Sequence, residues 1–421
     1  MGKLNCSTGL CDMQTMIHCC IFIFFLGGLA TVSFYKNNKQ EVAMHNIAVT
    51  LSNAFTNNNT DTRVFDHQVS PSSTATCDLF SGRWVLDNTS HYPLYKEQQC
   101  PRLEDTFACQ TYGRKDSKYL HWKWQPHGCD FPRFDGKAIA ERLRGKRLLF
   151  VGDSLNRNQW NSMICMLYSS IPGVKTAGGG LSGLLRTFRA ADYNISVDFY
   201  WAPMLVESLG DSPTNHHTDN RIVRIKSIEK HARHWIDADI LIFNSFHWWR
   251  SPSGGSLLDD PNQEYEEVDS LSAYKMGLKT WSNWAQTHID PLKTKLFFMG
   301  ATATHSRAKD WGGTNKWNCY GETEPVMDDG FWESGTNSKM LSILDSSLRK
   351  LKETGVNIQI INITQLTQCR KDGHTTVYRK QWRPLTDEQK KNPGLASDCS
   401  HWCLPGVPDI WNELLLAYIF R

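Results

Sequence analysis

Two short stretches of this chain hold the residue types that nucleophilic chemistry needs. The first is RLLFVGDSLNRNQW at 147–160, which contains Ser154. Leu148 to Val151 are apolar with a β-branched end, as in a strand buried on both faces. Gly152 breaks the run, and a helix-compatible segment follows from about Asn156 to Leu167. A serine on such a turn projects from the carboxyl end of a sheet, where open α/β folds place their sites. The helix start also aims backbone N–H groups at one point, ready to hold a developing oxyanion. Asp153 reads as structural, bonding the amides of the turn. The second stretch is SDCSHWCLPGVPD at 397–409. His401 is the one histidine in the chain with an aspartate three positions before it, Asp398. That spacing lets the carboxylate reach back to Nδ1, fix the tautomer and leave Nε2 free to take a proton from a serine hydroxyl.

Each signal has a plain competitor. Gly210-Asp211-Ser212 repeats the tripeptide, but Pro213 follows it and no buried-strand run leads into it, so it reads as a loop. Cys399, His401 and Cys403 have donor types that suit zinc. No second Cys/His pair with finger spacing accompanies them, so no metal is expected; disulfides on either side of His401 would instead hold its imidazole rigidly.

The elements that must position these groups alternate between strand and helix. Strands are expected at 195–201, 240–243, 296–299 and 358–363, and helices at 227–235, 268–285, 338–352 and 409–420. This is the pattern of an α/β fold, a doubly wound and mostly parallel sheet with helices on both faces. Asn244, at the end of the second of these strands, is a candidate oxyanion donor or a turn residue. Arg157, one helical turn after Ser154, suits acceptor binding, oxyanion support or a core ion pair. His247, Trp248 and Trp249 follow Asn244 as a possible glycan groove, with core packing the alternative for at least one tryptophan.

The chain has 421 residues, 40% hydrophobic and 21% charged, with 46 Lys and Arg against 43 Asp and Glu. No basic stripe stands out, which argues against nucleic acid as a partner. Residues 16–35 form an apolar run just long enough for a thin bilayer. It is long for a cleaved signal peptide and lacks a small-x-small exit. We therefore expect a cytoplasmic tail at 1–15, a transmembrane anchor at 16–35 and a polar lumenal stem at 36–76. Sequons at Asn58, Asn88, Asn194 and Asn362 and nine cysteines beyond the anchor place the body in an oxidising lumen. Residues 77–135, rich in cysteine and aromatics, should be irregular, pinned by disulfides and wrapped on the main domain at 136–421.

The blocks GDSLNRNQ at 152–159 and DCSHWCLPG at 398–406, with CDLFSGRWV at 77–85, YPLY at 92–95 and RKDGH at 370–374, resemble the plant trichome-birefringence-like family, most closely its xylan-acetylating branch. The likeness runs from Cys77 to the end. It implies a Golgi-membrane polysaccharide O-acetyltransferase, single-pass type II, with an SGNH-esterase type of fold. Ser154 would be the nucleophile, His401 the base and Asp398 its orienter. It also implies the pairings Cys77–Cys129, Cys100–Cys165, Cys109–Cys403 and Cys319–Cys399, which leave Cys369 over.

The reaction expected is two-step transfer through an acetyl-serine to O-2 or O-3 of xylosyl units. No bound cofactor is expected, only an acetyl donor such as acetyl-CoA or another activated carrier, with a donor transporter as a possible partner. The rival readings are an acetylesterase with the same residues, a transferase for pectin, xyloglucan or mannan, and a non-catalytic wall-glycan-binding protein.

Overall fold

Four consecutive residues with no exposure, Leu148 to Val151, set the architecture. Burying each contributes about 1.5–3 kcal/mol, and a strand apolar on both sides needs cover on both. The computed structural model describes residues 77–421 except 172–173, 178–182, 214–221, 251–254, 259–264, 314–317, 329 and 334–335. The tail, anchor and stem read from the sequence lie outside the described residues. Among the described residues no helix is long and apolar enough to cross a membrane.

The strands in chain order are β1 (Gly82–Leu86), β2 (Trp122–Pro126), β3 (Arg147–Gly152), β4 (Thr176–Ala177), β5 (Leu185–Ala190), β6 (Ile195–Trp201), β7 (Glu207–Ser208), β8 (Ile222–Arg224), β9 (Ile240–Asn244), β10 (Gly255–Leu258), β11 (Tyr265–Val268), β12 (Lys295–Met299), β13 (Ile358–Ile361), β14 (His374–Thr376) and β15 (Asp398–Trp402). The helices are α1 (Gly136–Arg142), α2 (Ser154–Ser170), α3 (Glu229–Ala232), α4 (Ser270–His288), α5 (Ser338–Glu353), α6 (Thr364–Gln368), α7 (Asp387–Lys391) and α8 (Val407–Ile419).

The main sheet runs β13-β12-β9-β3-β6-β5-β4. β3, β6, β9, β12 and β13 are parallel, and β5 and β4 extend the edge antiparallel. Alternate residues of β3 serve opposite cores. Leu148 and Phe150 pack with residues of α2 and α8, and Leu149 and Val151 with residues of α4 and α5. This is the doubly wound α/β arrangement of an SGNH-type fold. From β3 the chain goes to β6 on one side and later to β9 on the other. The carboxyl end of β3 is therefore the topological switch point, where such sheets hold their ligands.

Some local expectations need correction. The helix expected over 227–235 shrinks to α3, after which the chain continues as turns and drives Trp235 fully into the core against Phe243 and Trp284. The segment expected to be irregular contains a regular antiparallel pair, β1 with β2. The sheet β11-β10-β8-β7 was not expected at all, because its strands are two to four residues long and too short to show a period. Asn88, Asn194 and Asn362 are exposed.

Polar stitches bind the first segment to the rest. Trp84 Nε1 donates to the Leu366 carbonyl (2.8 Å), and Arg114 to the Asp372 carbonyl (2.7 Å). Tyr95 donates to Asp409 (3.0 Å) and Tyr92 to Glu413 (2.8 Å), both on α8. Burial pushes Asp409 up to about 6 and Glu413 up to about 8, with Asp409 adding to the rise in Glu413. A carboxyl whose folded value lies above its ordinary 4.5 stabilises the fold fully in acid and loses that contribution as pH rises through the folded value. We expect Glu413→Gln, neutral at every pH, to gain on the parent by a few kcal/mol between pH about 5 and about 8. Melting temperatures at the two pH values check this; a difference independent of pH would refute it.

Candidate active site

Local chain geometry builds the two halves of the site separately. Asp153 caps α2, its Oδ1 accepting from the Leu155 amide at 2.9 Å. Ser154 is thereby the first helical residue, and its own amide stays outside the cap. Gly152 allows β3 and β9 to approach closely at this level, since a Cβ there would fall on the Asn244 carbonyl oxygen. Asp153 is fully buried, and burial lifts its carboxyl to about 6 against the pull of the Leu155 amide and of His401.

On β15, Asp398 folds back on its own strand. Its Oδ1 accepts from the amides of Ser400 (3.0 Å) and His401 (3.1 Å), and Oδ2 from His401 Nδ1 (2.7 Å). Arg379 Nε stands 3.6 Å from the same carboxylate. Burial would raise this acid, but the His401 ring, its hydrogen bonds and Arg379 prevail and hold it far below the usual carboxylate range.

The fold then brings the halves together. His401 Nε2 lies 2.8 Å from Ser154 Oγ across a separation of 247 residues. With Nδ1–H given to Asp398, Nε2 carries the lone pair and the serine O–H donates to it. Two disulfides, Cys109–Cys403 and Cys319–Cys399, bracket His401. Closing the 294-residue separation is worth about 6 kcal/mol on the chain-entropy account. Cys77–Cys129 and Cys100–Cys165 pin the first segment. Cys369 is buried outside these four bridges. With Cys399 and Cys403 both oxidised, neither offers a thiolate beside His401.

The other sequence candidates divide. Asn244 is buried and pairs with Gly152 across the sheet, one strand from the serine turn. Arg157 is drawn into an ion-pair cluster. Its Nε is 3.6 Å from Glu104, which also binds Arg186, and its guanidinium lies 5.8 Å from the Phe107 ring centroid. His247 and Trp248 are part-exposed just past β9, with Trp248 edge-on to Trp201 at 5.6 Å. Trp249 departs from the groove reading: it is 3% exposed, tilted on Tyr274 and seated over Gly277 of α4. The second Gly-Asp-Ser is structural. Gly210 accepts from Trp201 Nε1, and Asp211 pairs with Lys230 and His231.

Sequence reasoning missed three contributors. Phe107 brings its ring 6.0 Å from His401, and its carbonyl accepts from Leu404 N. Arg379 carried no local signal. Asn158 did carry one, an amide side chain on the buried face four residues after Ser154. It accepts from Trp402 N (2.8 Å) and donates to Trp402 O (3.2 Å), clamping the residue after His401 onto α2. Asn158→Ala leaves both backbone groups unmet. We expect a loss of about 2–4 kcal/mol in stability and a fall in kcat larger than any change in KM, measured by denaturant unfolding and steady-state kinetics.

A serine, a histidine and a part-buried carboxylate in one hydrogen-bonded line at the switch point of an α/β sheet are the arrangement of serine-dependent acyl-ester enzymes. The chain belongs to that class by family as well. Residues 131–418 match the PC-Esterase family, the GDSL/SGNH-like acyl-esterase family found in Pmr5 and Cas1p, and residues 75–130 match the PMR5 N-terminal domain. The chain is 52% identical to protein trichome birefringence-like 34 of Arabidopsis thaliana, covering 82% of this chain and 84% of that protein. It is 46% identical to xylan O-acetyltransferase 14 of Oryza sativa subsp. japonica, covering 82% and 77%. Xylan O-acetyltransferase 13 of the same source is 45% identical over 82% and 70%.

Proposed function

We propose that the chain is a xylan O-acetyltransferase that works through an acetyl-serine. The observation that carries this reading is the line Asp398–His401–Ser154, in a chain similar over most of its length to proteins called xylan O-acetyltransferases.

His401 Nε2 takes the Ser154 proton as Oγ attacks the acetyl carbon of the donor. Asp398 holds the ring and stabilises the imidazolium that forms. Negative charge on the acetyl oxygen is met by the Ser154 amide at the start of α2 and by the Asn244 carboxamide. The imidazolium then protonates the leaving group. In the second step a xylosyl hydroxyl, O-2 or O-3, loses its proton to His401 and attacks the acetyl-serine, which releases Ser154. His247 and Trp248 lie on the acceptor side. Arg157, tied to Glu104, steadies the first segment beside His401. The donor is acetyl-CoA or another activated acetyl carrier, delivered by a transporter. The site works in the Golgi lumen, tethered by the run at 16–35.

The test is incubation of the protein with an acetyl donor and xylo-oligosaccharides, with mass spectrometry of products and of the Ser154 peptide. Acetylated xylosyl units and an acetylated Ser154 peptide are expected. Net acetate release from acetylated xylan without transfer would make it an esterase, the reaction that the family description names. Transfer to pectin, xyloglucan or mannan alone would move the acceptor.

A further inference from the structure

Behind His401 lie two fully buried histidines that the mechanism does not use. His305 follows β12, and His374 opens β14, the partner strand of β15. Three short contacts connect them in a row. His305 Nε2 is 2.8 Å from the Gln368 carbonyl, His305 Nδ1 is 2.7 Å from His374 Nε2, and His374 Nδ1 is 3.1 Å from the carbonyl of His401 itself. The His374 ring also packs on Trp402, with centroids 4.0 Å apart.

Both ends of this row are backbone carbonyls, which only accept. Three hydrogen bonds along it therefore need three protons, one on each outer nitrogen and one between the rings. Two neutral imidazoles bring two. The neutral pair has two arrangements that keep the bond between the rings. In one, both rings donate toward His401 and the lone pair of His305 Nε2 faces the Gln368 carbonyl. In the other, both donate toward Gln368 and the lone pair of His374 Nδ1 faces the His401 carbonyl. The second withdraws support from the strand that holds the proposed base.

We propose that His374 is a positioning residue for His401, and that His305 and His374 act as one unit that takes up a single shared proton on acidification, completing the row and pinning β15. The role in catalysis rests on the reading of His401 as the base; the proton uptake does not.

The surroundings set where this happens. Burial pushes His305 down to about 4, opposed by its bond to Gln368, by Asp372 and by Asp310, and aided by Lys371. Burial and the positive charge of His305 push His374 well below the usual range, opposed by its bond to His401 and by Asp398, with His401 aiding. Asp372 is less available than its closeness suggests, because Arg370 occupies both its oxygens. Arg114 donates to the His374 carbonyl at 3.1 Å and adds further positive charge. The folded protein thus binds this proton more weakly than an open chain would. Global stability falls on acidification through this uptake while β15 is pinned locally.

The test uses the full chain with nitrogen-15 in its histidines. The two rings are expected to titrate together, below the pH of a free imidazole, with one proton taken up between them. Over the same range, amide exchange at 399–402, corrected for intrinsic rates, should slow by roughly five- to tenfold, the equilibrium worth of one hydrogen bond. His305→Asn puts a permanent N–H donor near the position of Nδ1 and holds His374 in its Nδ1–H form. It should show slow exchange and a kcat pH profile without the corresponding inflection. His374→Phe, which has nothing to give to the His401 carbonyl, should show fast exchange at every pH. Independent titration, no protonation of either ring before unfolding, or an unchanged pH dependence in His305→Asn would overturn the proposal. Absence of acetyl transfer with the titration and exchange intact would instead count against the function alone.

Discussion

Ser154→Ala is expected to abolish acetyl transfer, lowering kcat by about 10⁴-fold or more while the fold stands. The hydroxyl is the group held against His401 Nε2, and it forms the proposed covalent bond. Its loss costs little structurally. Ser154 Oγ bonds His401 Nε2, the helix is capped by Asp153 rather than by the serine, and alanine is well suited to a first helical position. The variant should therefore melt with the parent and show no acetylated 154 peptide after exposure to donor. An active Ser154→Ala protein would end the covalent mechanism. A parent that binds wall glycan but transfers nothing would leave the binding-protein reading standing.

Asp398→Asn should cost nearly as much, about 10⁴-fold in kcat, for a reason specific to this geometry. The Oδ1 position is pinned as an acceptor by the amides of Ser400 and His401. Asparagine must therefore keep its oxygen there and turn its NH2 toward His401 Nδ1. That contact works only if Nδ1 carries the lone pair, which moves the ring proton to Nε2 and aims it at Ser154. The base then has nothing with which to accept. KM should change little, because no proposed acceptor or donor contact is touched. In the parent, Asp398 lies far below the usual carboxylate range. A depressed carboxylate keeps its stabilising contribution until pH falls through its folded value, so Asp398 holds the ring across the working pH range. A variant with half the parental rate would show that ring orientation does not depend on this carboxylate.

The stability prediction for Glu413 runs opposite in sign to the behaviour of Asp398, though Glu413 is buried and Asp398 largely so. Asp398 meets an imidazole, two amides and a guanidinium, whereas Glu413 accepts one phenol O–H and faces Asp409. Burial alone determines neither protonation state; the partners do.

Local chemistry was legible in the residues themselves. An apolar run closed by glycine and followed by a helix-compatible segment pointed to a buried strand and a turn at Ser154, because a strand covered on both faces needs an unbroken apolar stretch. An i,i+3 spacing determined that Asp398 can reach His401, because covalent geometry limits how far apart the two can lie. The succession of strand and helix patterns determined a doubly wound sheet. The helix expected over 227–235 fell short, however, since burial of Trp235 overrode propensity, and strands of two to four residues carry no period to read.

What only the tertiary structure decided is which distant groups meet. A separation of 247 residues implies no distance between Ser154 and His401; the crossover from β3 to β6, the return to β9 and the clamp of Asn158 on Trp402 supply it. The same holds for Phe107 against His401, for Trp249 in the core while Trp248 stays part-exposed, and for the row from Gln368 through His305 and His374. These contacts follow from which faces the sheet buries together and from the polar partners burial demands, and neither is a property of any short stretch of chain.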